Sequence, residues 1–285
     1  MVIWAIAKTT FGDALRKKIL QIFLAVTIGL IILSLSFSQV LSFSSRAGVS
    51  SDLMLLKSFG LGLMALAGLL ISVILSTGLI PQEIERRTIY TILAKPVKRY
   101  EFIIGKFLGA IGTLAVCIGL MGLVFVAVVF LKAHGATQAI SDSTDATLGT
   151  ATVGMSAFDP NTVYGVLMIF MQFMILTSVV LFFSTFLTQT VNFFMGCGVY
   201  IVGVMATVTE TFGHSEAASP LLRLVYKVIY CVVPNFDKFN VTNSLLHPDP
   251  ITNMGVYTLN CFFYAVIYSL IMMILAILCF DRKEV

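Results

Sequence analysis

Long apolar runs broken by short polar segments make up most of this chain. Runs of about 20 residues or more fall at 19–41, 59–80, 102–131, 162–187, 191–209 and 257–280, with ionisable residues confined to their ends. A helix of about 20 residues spans the roughly 30 Å apolar core of a bilayer. None of the runs shows the period-2 alternation of a barrel strand, and in lipid a helix satisfies its backbone groups within one segment. The pattern predicts an all-α integral membrane protein, one transmembrane domain over 1–285 with six transmembrane helices.

The segments between the runs differ in kind. Residues 1–18 mix Trp4, Ile6, Phe11 and Leu15 with Lys8 and Asp13 and end in Arg16, Lys17 and Lys18, which predicts an amphipathic helix lying at the inner interface. The run that follows is too long for the apolar part of a signal peptide, so it reads as a retained first span. A Ser-rich loop is expected at 42–58. Gly105 and Gly109 give the third run a small-residue step suited to helix packing. Residues 132–160 are polar and low in complexity, which suits a solvated outer loop. Three residues, 188–190, join the fourth and fifth runs, making them antiparallel neighbours. Residues 210–256 carry Pro220, Pro234, Pro248 and Pro250 around a run at 221–233 too short and too charged to span. Short outer interfacial or re-entrant helices are expected there.

Composition agrees: 58% of residues are hydrophobic and 11% charged, with a mean hydropathy of +0.99, outside the range of soluble domains. The placement of charge says more than its total. With the N-terminus inside, the inner segments hold 12 Lys and Arg against 6 acidic residues, and the outer segments 6 against 8. The positive-inside rule then puts both termini in the cytoplasm, in a multi-pass protein of the cell's cytoplasmic membrane.

The chemistry of energy conversion is missing. There is no GxxxxGK[ST] phosphate loop and no HExxH, and His134, His214 and His247 lie far apart in outer segments. No catalytic residue and no metal site are expected, and no nucleic-acid partner. The runs lack the internal charges on which ion-coupled pumps depend. The five cysteines form no CxxC pair; a bridge between Cys231 and Cys261 is left open. Any work must be driven by another chain.

One segment breaks the apolar texture. Residues 81–106 hold 6 of the 18 basic residues between two spans, on the inner side. If 82–94 is helical, Ile84, Thr88, Ile89, Ile92 and Leu93 share one half of the wheel, and Glu83, Arg87, Tyr90 and Thr91 the other. Glu83 and Arg87 form a favourable i,i+4 pair. Glu85 falls in the apolar arc, so it is either solvated before the helix begins or partnered by Arg86, a lysine or a second protein. Lys95, Lys98, Arg99 and Lys106 suit anchors that snorkel to the membrane surface, and Pro96 sets a turn before the third span.

This order of an apolar span, E-x-E-R-x-T-I-x-x-I-L-A-x-P-V-x-R-x-x-F-I-I-G-K and a second long span resembles the hallmark of the type 2 (ABC-2, exporter-type) permeases of ABC transporters. The matching positions are Glu83, Glu85, Arg87, Thr88, Leu93, Pro96, Val97, Arg99, Gly105 and Lys106; Arg87 stands where glycine is frequent and Lys98 where serine is frequent. The resemblance implies a permease without its own ATPase, pairing with a second copy or homologue and with two cytoplasmic ATP-binding subunits that hold ATP and Mg. Residues 82–93 would be the coupling helix, with Glu83, Glu85, Arg86, Arg87, Thr88, Tyr90 and Leu93 at the contact. The outer helices near 221–233 would close the exit.

Export is one of several roles open to such a chain. Some members of the family do mechanical or assembly work for envelope machinery, and the 132–160 loop is where an extracytoplasmic accessory protein would dock. Met168, Met171, Met174, Met195 and Cys197 are soft enough for Cu(I), although such stripes more commonly serve packing. Gln172, Ser178 and Asn192, with Ser184 and Thr185, are the polar groups within spans that would line a path or bond helices together.

Overall fold

The computed structural model describes residues 2–44, 49–85, 98–142, 160–205, 233–240 and 253–281, with side chains described outside 37–44, 49–54, 84–85, 135–142 and Pro160. The described residues are helical apart from turns and the segment 233–240. In chain order the helices are α1 (Val2–Leu15), α2 (Lys18–Ser44), α3 (Val49–Thr77), α4 (Pro81–Glu85), α5 (Arg99–Asp142), α6 (Pro160–Ser184), α7 (Gln189–Val204) and α8 (Met254–Asp281), with a 3-10 turn at Asp237–Phe239. Five helices, α2, α3, α5, α6 and α8, are long and apolar enough to cross a membrane. The fifth predicted run appears as α7, 16 residues of apolar helix.

Several boundaries differ from the sequence reading. Helix α2 runs to Ser44 and α3 is helical from Val49, so the described part of the expected Ser-rich loop is helical. Helix α5 runs on to Asp142, past the apolar run into the polar segment, for 44 residues. At 1.5 Å per residue that is about 66 Å, more than a bilayer core, so the helix tilts or projects beyond it.

Helices α3 and α6 form the centre. α6 packs against α3, α5, α7 and α8, while α3 also touches α2, α5 and α7. Small residues permit the close approach: the ring of Phe125 on α5 occupies the space beside Gly60, and that of Phe173 on α6 the space beside Gly68, where a Cβ would collide with them. Helix α8 buries a single stripe, Thr258, Cys261, Ala265, Ser269, Met273, Ala276 and Phe280, and leaves its remaining faces outward. Met168 and Met171 are core residues of α6.

Helix α1 departs from a freely lying interfacial helix. It packs along α5 with Ala7, Thr10 and Ala14 buried, while Trp4 is 76% exposed. The cause is the step predicted in the third run: a Cβ at Gly105 would lie 3.1 Å from the carbonyl of Ile3, and one at Gly109 2.8 Å from that of Ala7. Backbone contact this close selects the small face of α1 for packing and turns its largest side chain away.

Candidate functional site

Two regions at opposite ends of the bundle carry the polar chemistry. The end bearing α4 and the start of α5, assigned to the inside by the charge count, is termed the inner end. Pro81 opens α4, supplying the fixed φ suited to a first helical turn. Here Glu83 forms an ion pair with Lys106 of α5. Lys106 is 8% exposed, and its ammonium stands 5.6 Å from the centre of the Phe102 ring. Phe102 in turn stacks on Phe280 of α8, with centroids 6.3 Å apart.

Arg99 completes the junction. Its Nη1 donates to the carbonyls of Phe280 and Asp281, at 3.4 and 3.3 Å, so a cation caps the last turn of α8 where orphan carbonyls and the negative end of the helix dipole lie. Glu101 accepts the backbone N–H of Lys98 at 3.2 Å, satisfying one of the free donors at the start of α5. Gln82 reaches α7, its Nε2 donating to Oε1 of Gln189 at 3.5 Å. The root of the charged segment is thus tied to α5 and α7, and the start of α5 to α8.

These placements revise the surface-anchor reading. Lys106 lies inside the protein against Glu83, because a half-buried carboxylate one helix away offers it a stronger partner than distant headgroups. Arg99 spends hydrogen bonds on α8. Lys98 alone of the three described anchors is exposed, with its Nζ 5.7 Å from the Tyr100 ring centre. Arg86, Arg87, Thr88, Tyr90, Leu93 and Lys95 lie outside the described residues, as do the side chain of Glu85 and the expected helices near 221–233.

At the outer end the segment 233–240 tucks inward. Phe236 and Phe239 are fully buried. Neutral hydrogen bonds hold the segment: Phe236 N–H donates to the Gly203 carbonyl at 3.0 Å, Asn235 N–H to the Tyr264 hydroxyl at 3.3 Å, and the Tyr257 hydroxyl to the Lys238 carbonyl at 2.6 Å, while the Lys238 ammonium stands 5.5 Å from the centre of the Tyr264 ring. Phe239 packs against Tyr264 and Phe236 against Tyr200, with centroids 6.1 and 5.7 Å apart. Beneath it α3, α6 and α7 line a partly open cavity of about 300 Å³ whose polar lining is Ser58, Gln172, Tyr200 and Asn240.

Of the three proposed path residues, Gln172 alone lines this cavity. Ser178 is buried and donates to the Ile175 carbonyl of its own helix at 2.6 Å, the usual satisfaction of a serine inside a helix. Asn192 joins α7 to α6, donating to the Val180 carbonyl at 3.1 Å. Sequence reasoning missed Tyr200, Phe236 and Phe239. The available signal was the run Pro234-Asn235-Phe236, a turn former beside an aromatic, with Tyr257 and Tyr264 two helical turns apart on the last span.

Among curated proteins no sequence matches this chain. A family model described as ABC-2 family transporter protein matches residues 4–285. That match takes in the spans, the inner junction and the outer segment alike, so the chain belongs to the ABC-2 transporter family and is a transmembrane permease subunit of an ABC transporter.

Proposed function

We propose that this permease serves an ATP-driven exporter of the cell's cytoplasmic membrane, taking cargo from the cytoplasm or inner leaflet. Two separate ATP-binding subunits bind and hydrolyse ATP with Mg, and a second copy or homologue completes the membrane part. Glu85, Arg86, Arg87, Thr88, Tyr90 and Leu93 form the contact with an ATP-binding subunit, and Lys95 and Lys98 hold the far end of that segment at the membrane surface. Glu83 belongs to the same segment but works from its root.

The observation that supports this reading is the attachment of that root. Glu83 is bonded to Lys106 on α5, and Arg99 at the start of α5 holds the last turn of α8. A push on the segment that follows α4 is thereby delivered to two spans. The seating of Phe236 and Phe239 at the opposite end supports an outer closure that yields when those spans shift.

Purification of the tagged chain from its native membranes is expected to recover an ATP-binding subunit with ATPase activity. Joint charge reversal at Glu85, Arg86 and Arg87, none of which belongs to the Glu83–Lys106 pair, is expected to lower the recovered ATPase at least tenfold with the chain still folded. Recovery and activity equal to the natural protein's would sink the coupling role.

A further inference from the structure

The seam between α3 and α7 holds a second cavity besides the outer one. This inner groove, about 440 Å³, lies between Ile74 and Thr77 of α3 and the start of α7, where Thr188, Gln189, Phe193 and Phe194 line it. The two volumes lie within the lower part of the range typical of small-molecule sites, roughly 300–1,000 Å³. Between them the helices touch: a Cβ at Gly196 would stand 2.8 Å from Val180 and 3.3 Å from Val73.

Among the described residues, no Asp, Glu, Lys, Arg or His lines either cavity. A charged ligand would lose part of its hydration there and meet no counter-charge from these residues, which disfavours it against a neutral one. The lining instead offers neutral hydrogen-bonding groups, hydroxyls of Thr77, Thr188 and Tyr200 and amides of Gln172 and Gln189, beside aromatic rings. Such a mixture suits a molecule with one neutral polar head, a hydroxyl or carboxamide, on an apolar body.

We infer that the α3–α7 seam binds a neutral amphiphile at two stations within a single copy of the chain, an inner one beside Thr77 and Gln189 and an outer one beside Gln172 and Tyr200. The inference rests on the exporter reading and names its cargo class. Gly196 separates the stations, and passage between them requires α7 to part from Val73 of α3 and Val180 of α6 at that contact. The hydrogen bond from Gln82 to Gln189 connects the root of the coupling segment to the inner station.

The full chain in lipid nanodiscs can be photolabelled with a diazirine-bearing 1-decanol and the labelled peptides mapped by mass spectrometry. Labelling is expected at 58–65, 165–172 and 188–194, falling at least fivefold when unlabelled 1-decanol competes. A diazirine-bearing decyl sulfate is expected to label the same peptides at least fivefold less. Gly62→Leu places a side chain where a Cβ meets nothing within 4 Å and is expected to lower outer labelling at least fivefold while inner labelling persists. If that variant does not fold, Gln172→Leu must produce the same selective loss, and Gln172→Asn must restore part of it. Labelling spread evenly over outward faces such as those of α8, or equal for alcohol and sulfate, or unchanged in these variants, would overturn the inference. Because labelling needs neither ATP nor a partner subunit, such a failure leaves the exporter reading standing. Conversely, absence of an ATP-binding subunit from the purification would remove that reading with labelling intact.

Discussion

At the inner end α4, α5 and α8 meet through charged groups, Glu83 with Lys106 and Arg99 with the carbonyls of Phe280 and Asp281. The outer end is held differently: segment 233–240 rests on neutral hydrogen bonds to Gly203, Tyr257 and Tyr264 and on contacts with aromatic rings, the Lys238 ammonium over Tyr264 among them. Charge-assisted bonds in a low dielectric are strong and severe to break. A neutral hydrogen bond is worth about 1 kcal/mol net, since water readily replaces the lost partner. The contrast describes a molecule stiff where force would be received and exchangeable where an exit would open.

The strongest challenge to this contrast is Lys106→Ala. Removing the ammonium breaks the Glu83–Lys106 pair at a site where the lysine is buried, and is expected to cost about 3–4 kcal/mol, read as the largest drop in thermal unfolding in detergent. The double variant Glu83→Gln, Lys106→Met is expected to regain stability to within about 1 kcal/mol, since an apolar and neutral pair replaces two desolvated charges. Its ATPase coupling should stay low. A double variant that couples normally would show that the ion pair holds the fold without transmitting anything.

Phe236→Ala tests the other end. Emptying a fully buried site is expected to cost about 3 kcal/mol, with the loss confined locally. Hydrogen exchange should rise over 233–240 and at Gly203 while the start of α5 keeps its protection. Exchange spreading to Phe102 and Lys106 would erase the distinction between the ends.

Gly109→Leu follows in size. Its side chain would drive into Thr10 and the Ala7 carbonyl, so it is expected to lift α1 from α5 at a cost of about 2 kcal/mol, seen as protease cleavage within residues 2–15. Tyr257→Phe is the mildest, about 1 kcal/mol, because it deletes one neutral hydrogen bond to Lys238. It is expected to speed exchange over 233–240 with little change in melting temperature.

How far these features were legible in the sequence depends on the range of the interaction behind them. Five of the six expected spans were legible because an apolar run of sufficient length is itself the condition for crossing a bilayer. The packing step at Gly105 and Gly109 was also visible, but its partner was not: nothing local indicates that the small face of α1 fits there better than the aromatic face fits a lipid surface. Lys106 shows the same limit. A lysine one turn into a span reads as a snorkelling anchor, and only the position of Glu83, 23 residues earlier in the chain and adjacent in space, makes it a buried ion.

The outer region was least legible. Phe236 and Phe239 sit in a Pro-bounded segment that composition assigns to a surface, yet they are buried against Tyr200 and Gly203 of α7 and Tyr264 of α8. Gln172 was recognised as a polar group within a span, whereas its role as cavity lining depends on Tyr200 and Asn240 meeting it from elsewhere in the chain.

By itself the amino-acid sequence determined the solvent this protein lives in, the number of apolar runs, the side on which its charge gathers and the motif that assigns its family, because each follows from local composition weighed against water and lipid. Tertiary structure alone decided which charges are paired, which face of α1 is buried, and where α3 and α7 part to leave space. Those outcomes turn on distances of a few ångströms between residues remote in sequence, where one glycine or one carboxylate on a neighbouring helix changes which contact is lowest in free energy.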